Sequence, residues 1–168
     1  MTQTEYAIIV DEDDNILEYR DRKDVSTYDL HRIVAIWVTN RNGDVLLAQR
    51  AHTMCNQPSL WGPAAAGTVA KGESYLETAQ RELAEEVGIS NIALEEAGKF
   101  RTDREFGECR MCVVFVGTYD GDIATLKLQP EEVDAVKWMK PDELQRAVMQ
   151  NPEQYVINMQ NVIDAIGN

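Results

Sequence analysis

The sequence predicts an α/β fold, a mixed sheet covered by helices on both faces, and three observations carry that prediction. His31 to Val38 and Met111 to Tyr119 are almost continuously apolar, as strands buried on both faces are. Between them Leu76, Ala79, Leu83 and Val87 recur at helical spacing, a core-facing stripe. After the last strand pattern, Pro141 and Pro152 each stand where proline opens a helix. Strands, one central helix, more strands and then C-terminal helices pack as a sheet between helical layers.

Taken in order, Tyr6–Val10 and Ile16–Tyr19 flank the polar run Asp11–Asn15 and read as an N-terminal β-hairpin over residues 5–20. Arg20 to Asp29 is charged and irregular. Asn40-Arg41-Asn42-Gly43 carries the Asn-Gly turn signal, so Asp44 to Arg50 returns as the partner of the His31 strand. Ala51 to Leu60 has no period and contains Pro58, hence a loop. Trp61 to Val69, rich in Ala and Gly, brings in a strand of little side-chain bulk, suited to close approach of backbone to a ligand. Ser74 as N-cap with Glu77 completes a capping box, which starts a helix near Tyr75, and Gly88 stops it. Strands follow at Ala93–Arg101, Met111–Tyr119 and Val133–Met139, then helices within residues 141–166. The second of these presents Tyr155, Met159, Val162, Ile163 and Ile166 as one apolar stripe. With 168 residues and no linker or repeat, the chain is expected to form a single domain over 1–168.

The central helix poses the chemical question. Glu82, Glu85 and Glu86 lie at i, i+3 and i+4, so three carboxylates share one face although like charges at this spacing repel by a few tenths of a kcal/mol. A solvated acidic face is the bland explanation. The sharper one is a site for a hard divalent cation, because Mg²⁺ takes oxygen ligands and usually combines a few carboxylates with substrate phosphates.

The surrounding residues decide. Gly67, Glu73, Arg81, Glu82, Leu83, Glu85, Glu86, Gly88 and Ile89 match Gly-x5-Glu-x7-Arg-Glu-apolar-x-Glu-Glu-x-Gly-apolar at every specified position. Seven fixed residues at average usage coincide by chance in about one window in 10⁸. On this box, residues 67–89, the chain resembles the Nudix hydrolases, MutT-like proteins with an α/β/α sandwich fold. The resemblance implies hydrolysis of a diphosphate linkage in a nucleoside diphosphate derivative, with Mg²⁺ or Mn²⁺ as cofactor. Glu82, Glu85 and Glu86 would be metal ligands with the backbone at Ala66 or Gly67, and Glu82 or Glu86 would serve in catalysis. Glu73 and Arg81 would brace the loop against the helix. A further glutamate outside the box often acts in this family; Glu108 is the candidate, with Glu105 and Glu132 as alternatives. Arg50 would meet a substrate phosphate or neutralise the acidic cluster.

Outside the box, Leu30-His31-Arg32, Leu46-Leu47-Ala48-Gln49-Arg50 and Trp61 resemble the isopentenyl diphosphate isomerase-like subgroup, in which His31 matches a metal-binding histidine. The isomerase itself needs a cysteine and a histidine flanking the first glycine of the box, where this chain has Ala66 and Thr68. Without a thiol acid/base partner, allylic proton transfer has no catalyst there. Hydrolysis is therefore the leading reading, and an isomerase-like enzyme or a non-catalytic nucleotide-binding domain are the alternatives.

The net charge of −13 argues against binding nucleic acid polymers or anionic lipid, and requires that an anionic substrate be met by local positive charge or metal. No apolar run approaches the ~20 residues of a membrane span, so a cytoplasmic location is expected, with a small-molecule diphosphate as partner. A homodimer through the hairpin or the last helix is compatible with the pattern. Three cysteines give no disulfide framework. His52, Cys55, Cys109 and Cys112 could supply four zinc ligands, but burial of small thiols is the simpler reading.

Overall fold

The computed structural model describes residues 5–167; Met1–Thr4 and Asn168, the ends of the expected 1–168 domain, lie outside the described residues. The order of elements is β1 (Tyr6–Val10), β2 (Ile16–Asp21), β3 (His31–Thr39), β4 (Val45–Arg50), β5 (Trp61–Gly62), β6 (Ala65–Thr68), α1 (Tyr75–Val87), β7 (Glu95–Thr102), β8 (Arg110–Thr118), β9 (Val133–Met139), α2 (Pro141–Gln150) and α3 (Met159–Ile166).

The organising strand is β3. It pairs in parallel with β8 along its whole length, from His31 opposite Arg110 to Thr39 opposite Thr118. Its other edge is shared: Ile9 of β1 meets His31, β6 covers Ile33 to Ile36, and Val45 of β4 meets Thr39. Alternation along β3 divides the core in two. Val34, Ile36 and Val38 pack with Ala79, Leu83 and Val87 of α1. Ile33, Ala35 and Trp37 pack with Leu144 and Val148 of α2 and with Met159 and Val162 of α3. A strand buried on both faces must be apolar at every position, which is the run the sequence displays. The result is the predicted α/β sandwich, a mixed, curled sheet with helices on both sides.

Several expectations need correction. The Asn40–Gly43 turn forms, with Gly43 at φ 83° and the Asn40 carboxamide oxygen accepting from Asn42 and Asp44 N–H. Yet β4 is not the lateral partner of β3 beyond a single residue pair. It turns away to pair with β5 and β9, because β6 and β8 already occupy the edges of β3. The Ala- and Gly-rich strand is two short ones, β5 and β6, split at Pro63 and Ala64. Pro152 opens only a 3-10 turn, Pro152–Gln154. The chain then extends so that Tyr155 bridges Trp61, and α3 begins at Met159. Leu76 is exposed rather than part of the α1 stripe; Thr78 is buried instead, its hydroxyl donating to Glu73 at 2.7 Å.

Candidate functional site

The central helix is capped as its sequence requires. Ser74 Oγ accepts from Glu77 N–H, and the Glu77 carboxylate accepts from Ser74 N–H. Gly88 closes the helix in the left-handed region, φ 74°. The caps set the ends of α1, and its buried residues Ala79, Leu83 and Val87 fix which side faces the sheet and so aim its glutamates.

Glu73 and Arg81 bind each other in a fork, Arg81 Nε to Glu73 Oε1 at 2.8 Å and Nη2 to Oε2 at 3.0 Å. That ion pair holds the Glu carboxyl below the ordinary carboxylate range. Arg81 Nη1 also donates to both Glu82 and Glu85 at 3.0 Å. The three helix glutamates therefore do different things. Glu85 is half-exposed and turned to Arg81. Glu82, its side chain 13% exposed, lies against Gly67, where an added Cβ would sit 2.1 Å from Glu82 Oε1. Glu86 reaches the neighbouring residue, 3.5 Å from Ala66 N. Helical geometry explains the divergence: at about 100° per residue, i+3 and i+4 fall on opposite sides of residue i. Among the described residues, no three His, Cys, Asp or Glu side chains converge into a ready metal cage.

Electrostatically Glu86 is the outlier. Burial pushes its carboxyl well above the ordinary range, repulsion from Glu82 and Glu132 adds to the effect, and the Ala66 N–H and Arg50 only partly oppose it. Burial also raises Glu82, against the pull of Arg81.

Beside β6 runs a cleft with two chambers. The wider one is lined by Arg22, His31, Arg50, Gly67, Glu108 and Arg110. The narrower is lined among others by Arg50, Gln57, Glu86, Glu132 and Asn158. Arg50, Ala66, Arg110 and Glu132 border both. Three arginines face one cleft of a chain carrying −13 overall, beside Glu108, which pairs with Arg110, and Glu132, so the cleft is locally less negative than the chain as a whole.

Of the residues nominated by sequence, Glu108 lies in the cleft wall and is held bidentately by Arg110, at 3.0 Å from Nε and 2.6 Å from Nη2. Glu105 sits in the 3-10 turn Arg104–Phe106, away from the lining. Glu132, the other alternative, lines both chambers and adds to the repulsion on Glu86 after Glu82. Arg50 Nε and Nη2 donate to the Asn56 carbonyl at 3.2 and 2.9 Å, which positions its guanidinium at the junction of the chambers. His31 is buried with Nδ1 3.1 Å from the Asp29 carbonyl; since a carbonyl only accepts, Nδ1 carries the proton. Burial lowers its pKa, so it is neutral at pH 7. Cys112 is buried and Cys55 exposed. Arg110, Arg22, Gln57 and Asn158 were not nominated; Arg110 alone had a local signal, its i−2 glutamate at the start of an apolar strand.

The NUDIX domain family model matches residues 29–160. The chain belongs to the Nudix family. Its relatives include an uncharacterised Nudix hydrolase of Yersinia pestis, 36% identical over 142 residues, covering 83% of this chain and 75% of the relative. An isopentenyl-diphosphate Delta-isomerase of Serratia proteamaculans is 29% identical, covering 97% of this chain and 92% of the relative. Among solved structures, a Deinococcus radiodurans protein superposes with a TM-score of 0.83 at 18% identity, covering 97% of this chain and 99% of that one. The Nudix domain of Shewanella oneidensis NrtR, complexed with ADP-ribose, superposes at 0.62 with 21% identity, covering 87% and 90%. At these identities the structural likenesses establish the Nudix fold. Nudix hydrolases act on small, diphosphate-containing substrates and generally use divalent metal ions such as Mg²⁺. Among the described residues, no helix of this Nudix protein is long and apolar enough to cross a membrane.

Proposed function

We propose that this Nudix protein is a Mg²⁺- or Mn²⁺-dependent hydrolase of the diphosphate linkage in a nucleoside diphosphate derivative. The observation that carries the reading is Glu86: an enclosed carboxylate raised by burial and by its acidic neighbours, with the Ala66 N–H 3.5 Å from it. A buried carboxylate without a cation is costly, and one beside Glu82 more so. The donor set on offer, Glu82, Glu86, a reoriented Glu85 and the backbone carbonyl at Ala66 or Gly67, is all oxygen and suits a hard divalent ion. When bound, that ion would polarise the phosphoryl oxygens and lower the pKa of water.

The remaining work falls to the chain. Arg50 and Arg110 bracket the cleft junction and would orient the phosphates as charge-assisted donors. Glu82 would act as a ligand or as the base that takes a proton from the attacking water, with Glu108 and Glu132 as the other carboxylates within the cleft. Glu73 and Arg81 brace the box loop, so that Glu82 and Gly67 stay in contact. The ADP-ribose complex of the Shewanella relative supports a nucleoside diphosphate derivative as substrate. Isomerisation is disfavoured by Ala66 and Thr68, neither of which can shuttle a carbon-bound proton.

The test is turnover of a diphosphate library by the full chain with and without Mg²⁺ or Mn²⁺, beside Glu86→Gln. Wild type should release phosphate products only with metal, and the variant should fall below a tenth of that rate while keeping its fold. Retention of more than a tenth, or tight nucleotide binding with no turnover on any substrate, overturns the proposal.

A further inference from the structure

One edge of the sheet is β2, which among the described residues pairs with β1 and with no other strand. Edge strands are commonly blunted by lysine, proline or a bulge. Ile16–Asp21 holds neither lysine nor proline. Its one irregularity falls at Leu17, leaving Glu18–Asp21 in regular register with Tyr6–Ile9. Ile16, Leu17 and Tyr19 are exposed, as is Tyr6 of β1. Lys71 Nζ lies 4.8 Å from the Tyr19 ring centre and 5.9 Å from that of Tyr6, so the two rings share a face.

The backbone of this edge is open as well. Arg22 N–H donates to the Glu5 carbonyl at 2.9 Å. Backbone groups alternate sides along a strand, so those of Glu18 and Arg20 also turn to β1, and those of Tyr19 and Asp21 point away from it. Open N–H and C=O groups among exposed apolar side chains are a template for another strand.

Charge selects which strand. A two-fold axis through an antiparallel pair sets one residue opposite itself. Centring on Glu18 or on Arg20 would place each against its own copy, and like charges directly opposite are destabilising. Centring on Tyr19 sets Glu18 opposite Arg20 of the second copy, twice, and brings the two Tyr19 rings together. Glu18 and Arg20 already pair within the strand, and Arg20 also holds Asp29, so both side chains stand ready at this edge.

We infer that β2 is a self-association edge: a second copy of this chain adds its own β2 antiparallel, with Tyr19 on the two-fold axis, and continues the sheet across both molecules. An unrelated extended peptide would make the backbone bonds without the reciprocal charges. Arg22 follows β2 directly and lines the wide chamber, so the interface runs up to the cleft.

The experiment is sedimentation equilibrium of the full chain over a roughly hundredfold range of concentration. Salt at ~0.15 M screens the −13 of each copy beyond about 8 Å. Wild type should pass from monomer to dimer. Glu18→Arg and Arg20→Glu each set like charges across the axis, and each should weaken dimerisation about tenfold or more. Mixing the two variants in equal amounts restores opposite charges at both positions, and a heterodimer within a few-fold of wild-type affinity should return, which also shows that both variants are folded. The double reversal Glu18→Arg/Arg20→Glu should dimerise with itself. A wild type that stays monomeric, a dimer indifferent to both single variants, or no recovery in either the mixture or the double reversal overturns the inference.

Discussion

Replacing Gly67 by alanine separates the geometry of the site from the stability of the fold. Gly67 is not among the residues in the left-handed region, so its backbone tolerates a side chain, and the three atoms nearest to an added Cβ all belong to Glu82. A methyl carbon there would lie 2.1 Å from Glu82 Oε1, 2.2 Å from Cδ and 2.5 Å from Cγ, where non-bonded carbons need about 3.5–4.0 Å. Glu82 must therefore swing out, abandoning its 3.0 Å bond from Arg81. Overpacking of this kind costs about 1–3 kcal/mol. The lower end applies, since the displaced carboxylate regains water and its repulsion of Glu86 is relieved. Activity should suffer far more, because a shift of an ångström or more in a positioned group costs roughly 10²-fold. Urea unfolding and metal-dependent turnover measured in parallel check this. Gly88→Ala is the control: at φ 74° with the Lys127 backbone at 3.1 Å, it should lose about 1–2 kcal/mol with turnover kept. If Gly67→Ala retains activity within a few-fold, or loses it only in proportion to stability, the close approach of Glu82 to β6 has no part in function.

Two further substitutions probe the anchor of the N-terminal hairpin and the phosphate contact proposed for Arg50. Asp14, in the left-handed region at φ 65°, accepts from Arg32 Nε at 2.7 Å, from Tyr75 Oη at 3.0 Å and from Lys99. Burial pushes its carboxyl up, but these donors outweigh it and the folded pKa is lowered. A lowered folded pKa contributes stability above the unfolded value and loses it as the pH falls through the folded one. Asp14→Asn, which keeps the backbone conformation, should thus cost about 1–3 kcal/mol at pH 7, with the gap to wild type narrowing below about pH 4; a gap independent of pH in urea titrations would refute the pairing. Arg50→Lys should raise KM for the diphosphate substrate about tenfold with a smaller change in kcat, since an ammonium cannot reproduce the two-pronged donor, and an unchanged KM would remove Arg50 from the phosphate site.

What could be read from sequence was what local geometry determines. Ser74, Glu77 and Gly88 bound α1 because caps act within a few residues, and β3 was legible because burial on both faces leaves an unbroken apolar run. Local signals also misled where a distant segment competed for the same backbone. The Asn40–Gly43 turn sets how the chain reverses, but β6 and β8, which lie far along the chain, take the edges of β3 and send β4 elsewhere. Pro152 suits the first turn of a helix, yet the chain after it is drawn out against Trp61 until Met159.

The site divides along the same line. Glu82 and Glu86 announce themselves by spacing on one helix, whereas Arg110, Glu132, Gln57 and Asn158 meet only because β8, the loop before β9, the loop after β4 and the start of α3 converge on β6. Asn158 is the sharpest case, because the most economical reading of an asparagine before an apolar helix is a cap. Only the fold reveals that the cap bond is left unmade and that the residue lines the chamber beside Glu86. Carboxylates carried by one helix are visible one-dimensionally, whereas side chains brought to one cleft by separate loops become neighbours only in the fold.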